Sequence, residues 1–217
     1  MSLTLYYHPL SSYCWKALIA FYENDIQFEP HIVNLGDEAA AAAFKRIWPV
    51  GRFPVLRDAA RDRLVPESSI IIEYLAQHYP GRSKLLPEDA DLARQVRFHD
   101  RFFDNYVMTP MQKIVFDRIR PAGRKDPHGV EEARTLLDTS LRMIDETMAS
   151  RTWATGETFT LADCAAAPSL YYADRVAPFT GQLESAARYL ERLKQRPSFA
   201  RVLKEAEPYF QYFPNED

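Results

Sequence analysis

Cysteine is scarce in this chain. Cys14 and Cys164 are the only two, they stand far apart, and no Cys-x-x-Cys pair occurs. That excludes a disulfide framework and a thiolate zinc site, and it suits a reducing cytosol. A basic excess is missing as well: 27 Lys and Arg face 30 Asp and Glu, a net charge of −3. The positive stripe of a nucleic-acid binder is therefore not expected. No apolar run approaches the roughly 20 residues of a membrane span. The opening Met1-Ser2-Leu3-Thr4-Leu5-Tyr6 lacks the basic and apolar regions of a signal peptide, so a soluble cytoplasmic protein without a membrane partner is expected. There is no Gly-x-Ser-x-Gly elbow. His8 has no acidic orienter near it, and neither His8 nor His31, His78 and His99 have metal-ligand spacing. No metal is expected.

What is present is a 47% hydrophobic chain with ordered periodicity. Leu3-Tyr7 reads as a strand, His8-Pro9-Leu10-Ser11-Ser12 as a turn, and Tyr13 to Glu23 as a helix. Gln27-Val33 is a second strand, with Phe28, Pro30 and Ile32 alternating against Gln27, Glu29 and His31. A short Ala-rich helix over Glu38-Arg46 follows. Two strands come next, Val55-Leu56 after Pro54 and then Arg63-Leu64-Val65, before an amphipathic helix from Ile70. Strand–helix–strand followed by strand–strand–helix is the thioredoxin-like order, a mixed sheet with helices on its faces.

Pro80-Gly81 reads as a linker. Beyond Pro87-Glu88-Asp89 the apolar period is helical. Leu92, Val96, Phe103, Val107 and Met111 share one stripe that Pro110 should break or kink. A second stripe runs through Leu137, Leu141 and Ile144. Thr160 and Asp163 form the start signal of a buried helix, with Asp163 a cap and not a catalytic acid. The expected fold class is α/β plus all-α: an N-terminal thioredoxin-like domain over 1–81 and a C-terminal helical-bundle domain over 88–217. Asn215-Glu216-Asp217 is expected to be a solvated tail.

Three features carry chemistry. Pro54 opens a strand, where it belongs at the first residue or an edge, and X-Pro is the bond type in which a cis peptide is cheap. A cis Phe53-Pro54 bond would free the Phe53 backbone to pair with an extended ligand. Ser68, read as the cap of the next helix, lies beside orphan N–H groups that suit a carboxylate, and Glu67 offers a negative charge. This constellation resembles the glutathione site of the glutathione transferase family. Phe-Thr-Leu-Ala-Asp at 159–163 is similar to that family's helical-domain signature. The resemblance implies that Phe53 pairs with the cysteinyl backbone of glutathione, with Arg52 and Pro54 beside it. It also implies that Glu67 and Ser68 take the γ-glutamyl end.

Glutathione transfer requires a thiolate near pH 7, and a free thiol titrates at about 8.5. One hydroxyl donating to the anion supplies about 1.5–3 kcal/mol, and a helix N-terminus about 0.3–1 kcal/mol. Ser11-Ser12, ahead of the first helix, supplies both. Ser11-Ser12-Tyr13-Cys14 resembles a glutaredoxin Cys-Pro-Tyr-Cys with Ser11 in the first cysteine's place. Ser-Ser-x-Cys-Trp-basic also resembles the zeta class, so Ser11 is the first choice. Ser12, by the theta-type alignment, and Cys14 remain open. The family's second-substrate pocket would fall at Leu10, Phe103, Tyr106, Val107 and Pro110, and Tyr209-Phe213 would lid it or dock on the bundle. The resemblance implies a homodimer that uses glutathione as co-substrate and attacks a small apolar electrophile. The rivals are a glutathione-dependent cis–trans isomerase of maleyl diacids, with Arg52 or Lys16 on the substrate carboxylates, and a non-catalytic interaction module.

Overall fold

β1 (Leu3–Tyr7) is an inner strand of a four-stranded sheet ordered β2-β1-β3-β4 in the computed structural model, which describes residues 2–214. The acidic tail expected at 215–217 lies outside the described residues. β2 (Glu29–Ile32) runs parallel to β1, β3 (Val55–Asp58) pairs antiparallel with β1, and β4 (Arg63–Pro66) pairs antiparallel with β3, with Leu5 opposite Pro30 and Leu56, and Leu56 opposite Val65. Parallel neighbours need a crossover, and α1 (Ser12–Glu23) is that crossover. With α2 (Glu38–Ile47) and α3 (Ser68–His78) the expected thioredoxin-like order is complete. One sheet face packs Leu3, Leu5 and Leu56 against Trp15, Ile19 and Ile71; the other packs Val55 against Val33 and Phe44 of α2.

β2 departs from its expected alternation. It is shorter than its apolar pattern, and all four of its residues are exposed, Pro30 and Ile32 included. As an edge strand it is anchored at its ends instead, by Phe28 on Phe21 at 4.5 Å and by buried Val33.

Beyond Ala90 only helices follow among the described residues: α4 (Ala90–Phe102), α5 (Thr109–Arg118), α6 (Pro127–Met148), α7 (Leu161–Val176), α8 (Glu184–Gln195) and α9 (Pro197–Ala206). Asp89 caps α4, its Oδ1 accepting the Leu92 N–H at 2.8 Å. The break or kink expected at Pro110 takes the form of a widened helical segment just before it. A π-helical segment, Phe103–Met108, joins α4 to α5, and Pro110 sits in the first turn of α5. Proline has no N–H for the carbonyl four residues back, and the widened turn accommodates it. The Thr109 N–H bonds the Asp104 carbonyl five residues earlier, and its Oγ1 donates to the same oxygen at 2.9 Å.

α7 begins as its sequence predicts. The Thr160 N–H donates to Asp163 Oδ2 at 2.8 Å, while Asp163 Oδ1 receives the Ala154 N–H at 2.8 Å and the Tyr189 hydroxyl. Burial pushes the Asp163 carboxyl upward, and its bonds to Thr160, Ala154 and Tyr189 hold the bundle together. The core does not divide at the linker. One apolar cluster runs from Leu5 and Trp15 to Leu137, Leu170 and Leu193. At the end of α1, Glu23 accepts Arg196 at 2.7 and 2.6 Å and Ser83 at 3.1 Å, clamping the linker onto α9's entry.

Candidate active site

The turns entering α1, β3 and α3 open onto one cavity of about 840 Å³. Ser11 is the N-cap of α1, with extended backbone and Oγ accepting the Cys14 N–H at 3.3 Å. That leaves its own hydroxyl proton to give. Ser12 is the first helical residue and nearly buried; both serines line the cavity. The loop before them is fixed from two sides. The Tyr172 hydroxyl donates to the Leu10 carbonyl at 2.8 Å, and the Trp15 indole N–H donates to the Pro9 carbonyl while its ring stacks on Tyr172 at 4.7 Å. Cys14 is fully buried. Burial pushes its thiol up to about 12 against the opposing pull of the Ser11 hydroxyl and the His8 backbone, which disfavours the thiolate that a cysteine nucleophile needs.

The Phe53-Pro54 bond is cis, and Phe53 stands just ahead of the ladder that begins at Val55. Arg52, Phe53 and Pro54 all border the cavity. Glu67 and Ser68 do so too, but Ser68 is not the cap. Glu67 occupies that position, with φ +70° and no side-chain capping bond, and Ser68 is already helical. The chain leaves β4 at Pro66 and reverses into α3 within one residue, so Glu67 takes the left-handed turn, a conformation a non-glycine residue adopts at an energetic cost. With no capping side chain there, the first N–H groups of α3 remain available to a bound anion.

Of the five residues expected at the second-substrate pocket, only Leu10 lines the cavity. Phe103, Val107 and Pro110 are buried in the bundle, and Tyr106 lies on another face, against Phe102 at 5.4 Å. Their apolar stripe is the side the helix turns to its core. The cavity side of the same helices carries Arg101, Asp104, Asn105 and Gln112 before it becomes apolar at Val115, Phe116 and Ile119. The C-terminal segment both docks and walls. Phe213 stacks on Tyr172 at 5.4 Å and Arg175 covers Phe210 at 4.7 Å, while Phe213 and Pro214 border the cavity.

Beneath the cavity lies a buried ionic network not foreseen from the sequence. Lys16 is 1% exposed. It donates to Asp104 and Ser69 at 2.8 Å each and pairs with Asp100; Ser69 donates to Asp100 at 2.9 Å. Arg101 closes the network on the cavity side, bonding Ser69 at 2.7 Å and pairing with Asp104. Burial raises the Asp104 carboxyl, and the Lys16 ammonium opposes that rise. Lys16 is committed here and does not reach the cavity, which leaves Arg52 as the one of the two expected cations that does. The signals were present but distant: a lone cation in the apolar run of α1, and two aspartates one turn apart.

No group of three or more His, Cys, Asp or Glu among the described residues is placed to hold a metal ion. No helix among them is long and apolar enough to cross a membrane.

Comparison with known proteins agrees with the fold. The profile described as "Glutathione S-transferase, N-terminal domain" matches residues 5–83, and that described as "Glutathione S-transferase, C-terminal domain" matches 127–205. A glutathione S-transferase-like protein of a Fusarium species is 33% identical over 60% of this chain and 58% of its own length. The Escherichia coli protein named glutathione S-transferase GstB is 24% identical over 93% of this chain and 97% of its own. A probable maleylacetoacetate isomerase of Caenorhabditis elegans is 26% identical over 94% of each. Among solved structures, a glutathione S-transferase of Methylobacillus flagellatus with glutathione bound superposes at a TM-score of 0.84, with 27% identity, over 93% of this chain and 98% of its own. Another, of Methylobacterium radiotolerans in complex with glutathione sulfonate, superposes at 0.81, with 28% identity, over 92% and 93%.

Proposed function

The chain belongs to the glutathione S-transferase family, and from that premise we propose that it binds glutathione in the 840 Å³ cavity and directs its thiolate, held by Ser11, at an apolar electrophile. The observation that carries this reading is convergence. Ser11, Phe53-Pro54 and Glu67-Ser68 come from three separate stretches of chain and open onto one cavity whose far wall is apolar. The γ-glutamyl carboxylate meets the uncapped N-terminus of α3 and Ser68, its ammonium faces Glu67, and the cysteinyl backbone pairs with Phe53. The sulfur then lies at the N-terminus of α1. On this reading the protein is a serine-type transferase of zeta- or theta-like kind, and its two buried thiols suit a reducing cytoplasm.

The test is retention on immobilised glutathione followed by turnover of a panel of electrophiles that includes maleyl diacids. Ser68→Ala is expected to weaken glutathione binding by about 1.5–3 kcal/mol, the contribution of a hydrogen bond to a charged group. Unchanged affinity by calorimetry would remove Ser68 from the site. The isomerase reading draws on Arg52, and on Lys45, which also borders the cavity and offers a second cation for substrate carboxylates. Turnover of maleyl diacids without net conjugation is its mark. A protein that retains glutathione but turns over no member of the panel is an interaction module.

We also read the protein as a homodimer. Phe98, Tyr106 and Met143 are 58%, 46% and 50% exposed, and a crevice of about 70 Å³ lined by Phe102, Phe103, Met143 and Ile144 lies among them. An apolar row on this scale suits a second copy of the chain. Light scattering should find a dimer for the wild type and a monomer for Phe98→Glu. A monomeric wild type refutes the reading.

A further inference from the structure

His8 lines the cavity and has no part in the reading so far. Its Nδ1 accepts the Leu10 N–H at 3.1 Å, and its carbonyl accepts the Ser11 N–H at 3.0 Å. A backbone N–H can only donate, so Nδ1 carries the lone pair and the proton of the neutral ring resides on Nε2. The ring stacks on Phe53 at 5.8 Å and 16° and meets Tyr209 edge-on at 6.5 Å. Burial lowers its pKa, and no carboxylate acts against that. The imidazole is therefore neutral at pH 7. Among the described residues no acceptor meets its Nε2–H, which leaves a donor N–H in a cavity where a thiolate is to react.

We propose that His8 presents Nε2–H to the second substrate, as a neutral donor to an oxygen that gains charge while the glutathione sulfur attacks, and that the site favours α,β-unsaturated carbonyl compounds. The inference rests on the glutathione reading above and extends it to a substrate class. In the step, the thiolate sulfur bonds the β-carbon and the alkene pair moves toward the carbonyl, giving an enolate. His8 Nε2–H hydrogen-bonds the enolate oxygen. The α-carbon then takes a proton from water, to which the thiol proton had already passed. A donor fixed by the first-turn loop needs no reorganisation as charge builds on that oxygen. A neutral donor also does not compete with the electrophile as a counter-ion for the thiolate. Leu10, Val115 and Phe213 supply the apolar wall for the rest of such a substrate.

Two variants separate this role from support of the loop. His8→Asn keeps an acceptor where Nδ1 receives the Leu10 N–H but has nothing at the reach of Nε2. His8→Gln carries an amide N–H to that reach. Each is assayed against an aryl enone and a benzyl halide, with the bound thiolate followed by its ultraviolet absorbance. The ratio of enone to benzyl halide kcat/KM is expected to fall roughly tenfold or more in His8→Asn, the effect of one hydrogen bond to a charged oxygen. It should recover largely in His8→Gln, with the thiolate signal unchanged in both. Equal loss for the two substrates, or no loss, overturns the proposal. A wild type that shows bound thiolate but no enone preference over His8→Asn overturns it while the glutathione reading stands. A wild type with no bound thiolate overturns both.

Discussion

Lys16→Met is expected to be among the most destabilising single substitutions in this protein, lowering stability at pH 7 by about 3–5 kcal/mol, the cost of removing one partner from a buried charge pair. Methionine matches the length of the lysine stem, so packing is nearly conserved and the loss is electrostatic. Without the ammonium, Asp100 and Asp104 face each other in the protein interior, with only half-exposed Arg101 to compensate. A chain of this size loses roughly 2–4 °C of melting midpoint per kcal/mol, so a drop of about 10 °C is anticipated. The pH dependence has a definite sign. Asp104 already has its carboxyl raised by burial. A raised acid binds more protons folded than unfolded, so the fold gains stability as pH falls through the raised pKa. Removing Lys16 raises that pKa further, and the gap between variant and wild type should narrow in acid. Melting curves at pH 7 and pH 5 decide it. An unchanged midpoint at pH 7, or a deficit that does not shrink at pH 5, means the network does not bear on stability in this way.

The network also explains how the site is assembled. Lys16 stands one turn along α1 from Ser12, Ser69 follows Ser68 on α3, and Asp104 reaches the cavity from the π-helical segment. One buried ammonium thus fixes the relative placement of the entries to α1 and α3, where we propose that the thiolate and the γ-glutamyl end bind, and of the π-helical segment that borders the cavity. Ion pairs of this kind hold groups in register even where they add little net stability.

The features legible in the sequence were those written in adjacent residues. A proline at a strand start, two serines before an amphipathic helix and a capping box at Thr160-Asp163 each announce local geometry through their own backbone chemistry. The parallel pairing of β1 with β2 followed from the helix between them. Ser68 reads as a cap in the sequence, but Glu67 takes that position because the chain enters the left-handed region there, which adjacent residues do not announce. Contacts made across the chain were not legible. Lys16 and Asp104 are 88 residues apart; Lys16 alone reads as a cation for a substrate carboxylate, and Asp104 alone announces nothing. The second-substrate wall failed for a different reason. Hydrophobicity selects the side of a helix that meets the core, whereas a cavity wall is the mixed side, here Arg101 and Gln112 beside Val115 and Ile119. Phe103 and Val107 were correctly read as a stripe, and that stripe is core.

Ser11→Ala is expected to raise the pKa of the bound glutathione thiol by roughly 1–2 units, since the lost charge-assisted bond supplies about 1.5–3 kcal/mol and one unit is about 1.36 kcal/mol. Turnover at neutral pH should fall about tenfold or more and recover partly in alkali, where the thiolate forms unaided, while ground-state glutathione affinity changes little. The structural ground is that Ser11 Oγ already accepts the Cys14 N–H, and its hydroxyl proton, which otherwise meets only the protonated Cys14 thiol, can turn to the bound sulfur. Its position at the N-terminus of α1 adds the helix's own field in the same sense. Alanine also removes the cap, at about 0.5–2 kcal/mol of stability, whereas glycine costs only a few tenths. Ser11→Gly therefore repeats the thiol shift on a nearly intact helix and separates chemistry from folding. Ser12→Ala should move the thiol markedly less, because Ser12 is nearly buried and already helical. Cys14→Ala should leave the thiolate in place, because burial holds the Cys14 thiol up at about 12 and a protonated, enclosed sulfur neither attacks nor exchanges. Ultraviolet titration of bound glutathione across the four variants gives the answer. If Cys14→Ala alone abolishes activity and the wild type yields a mixed disulfide with glutathione, the serine assignment falls and the protein is a cysteine-type thiol transferase.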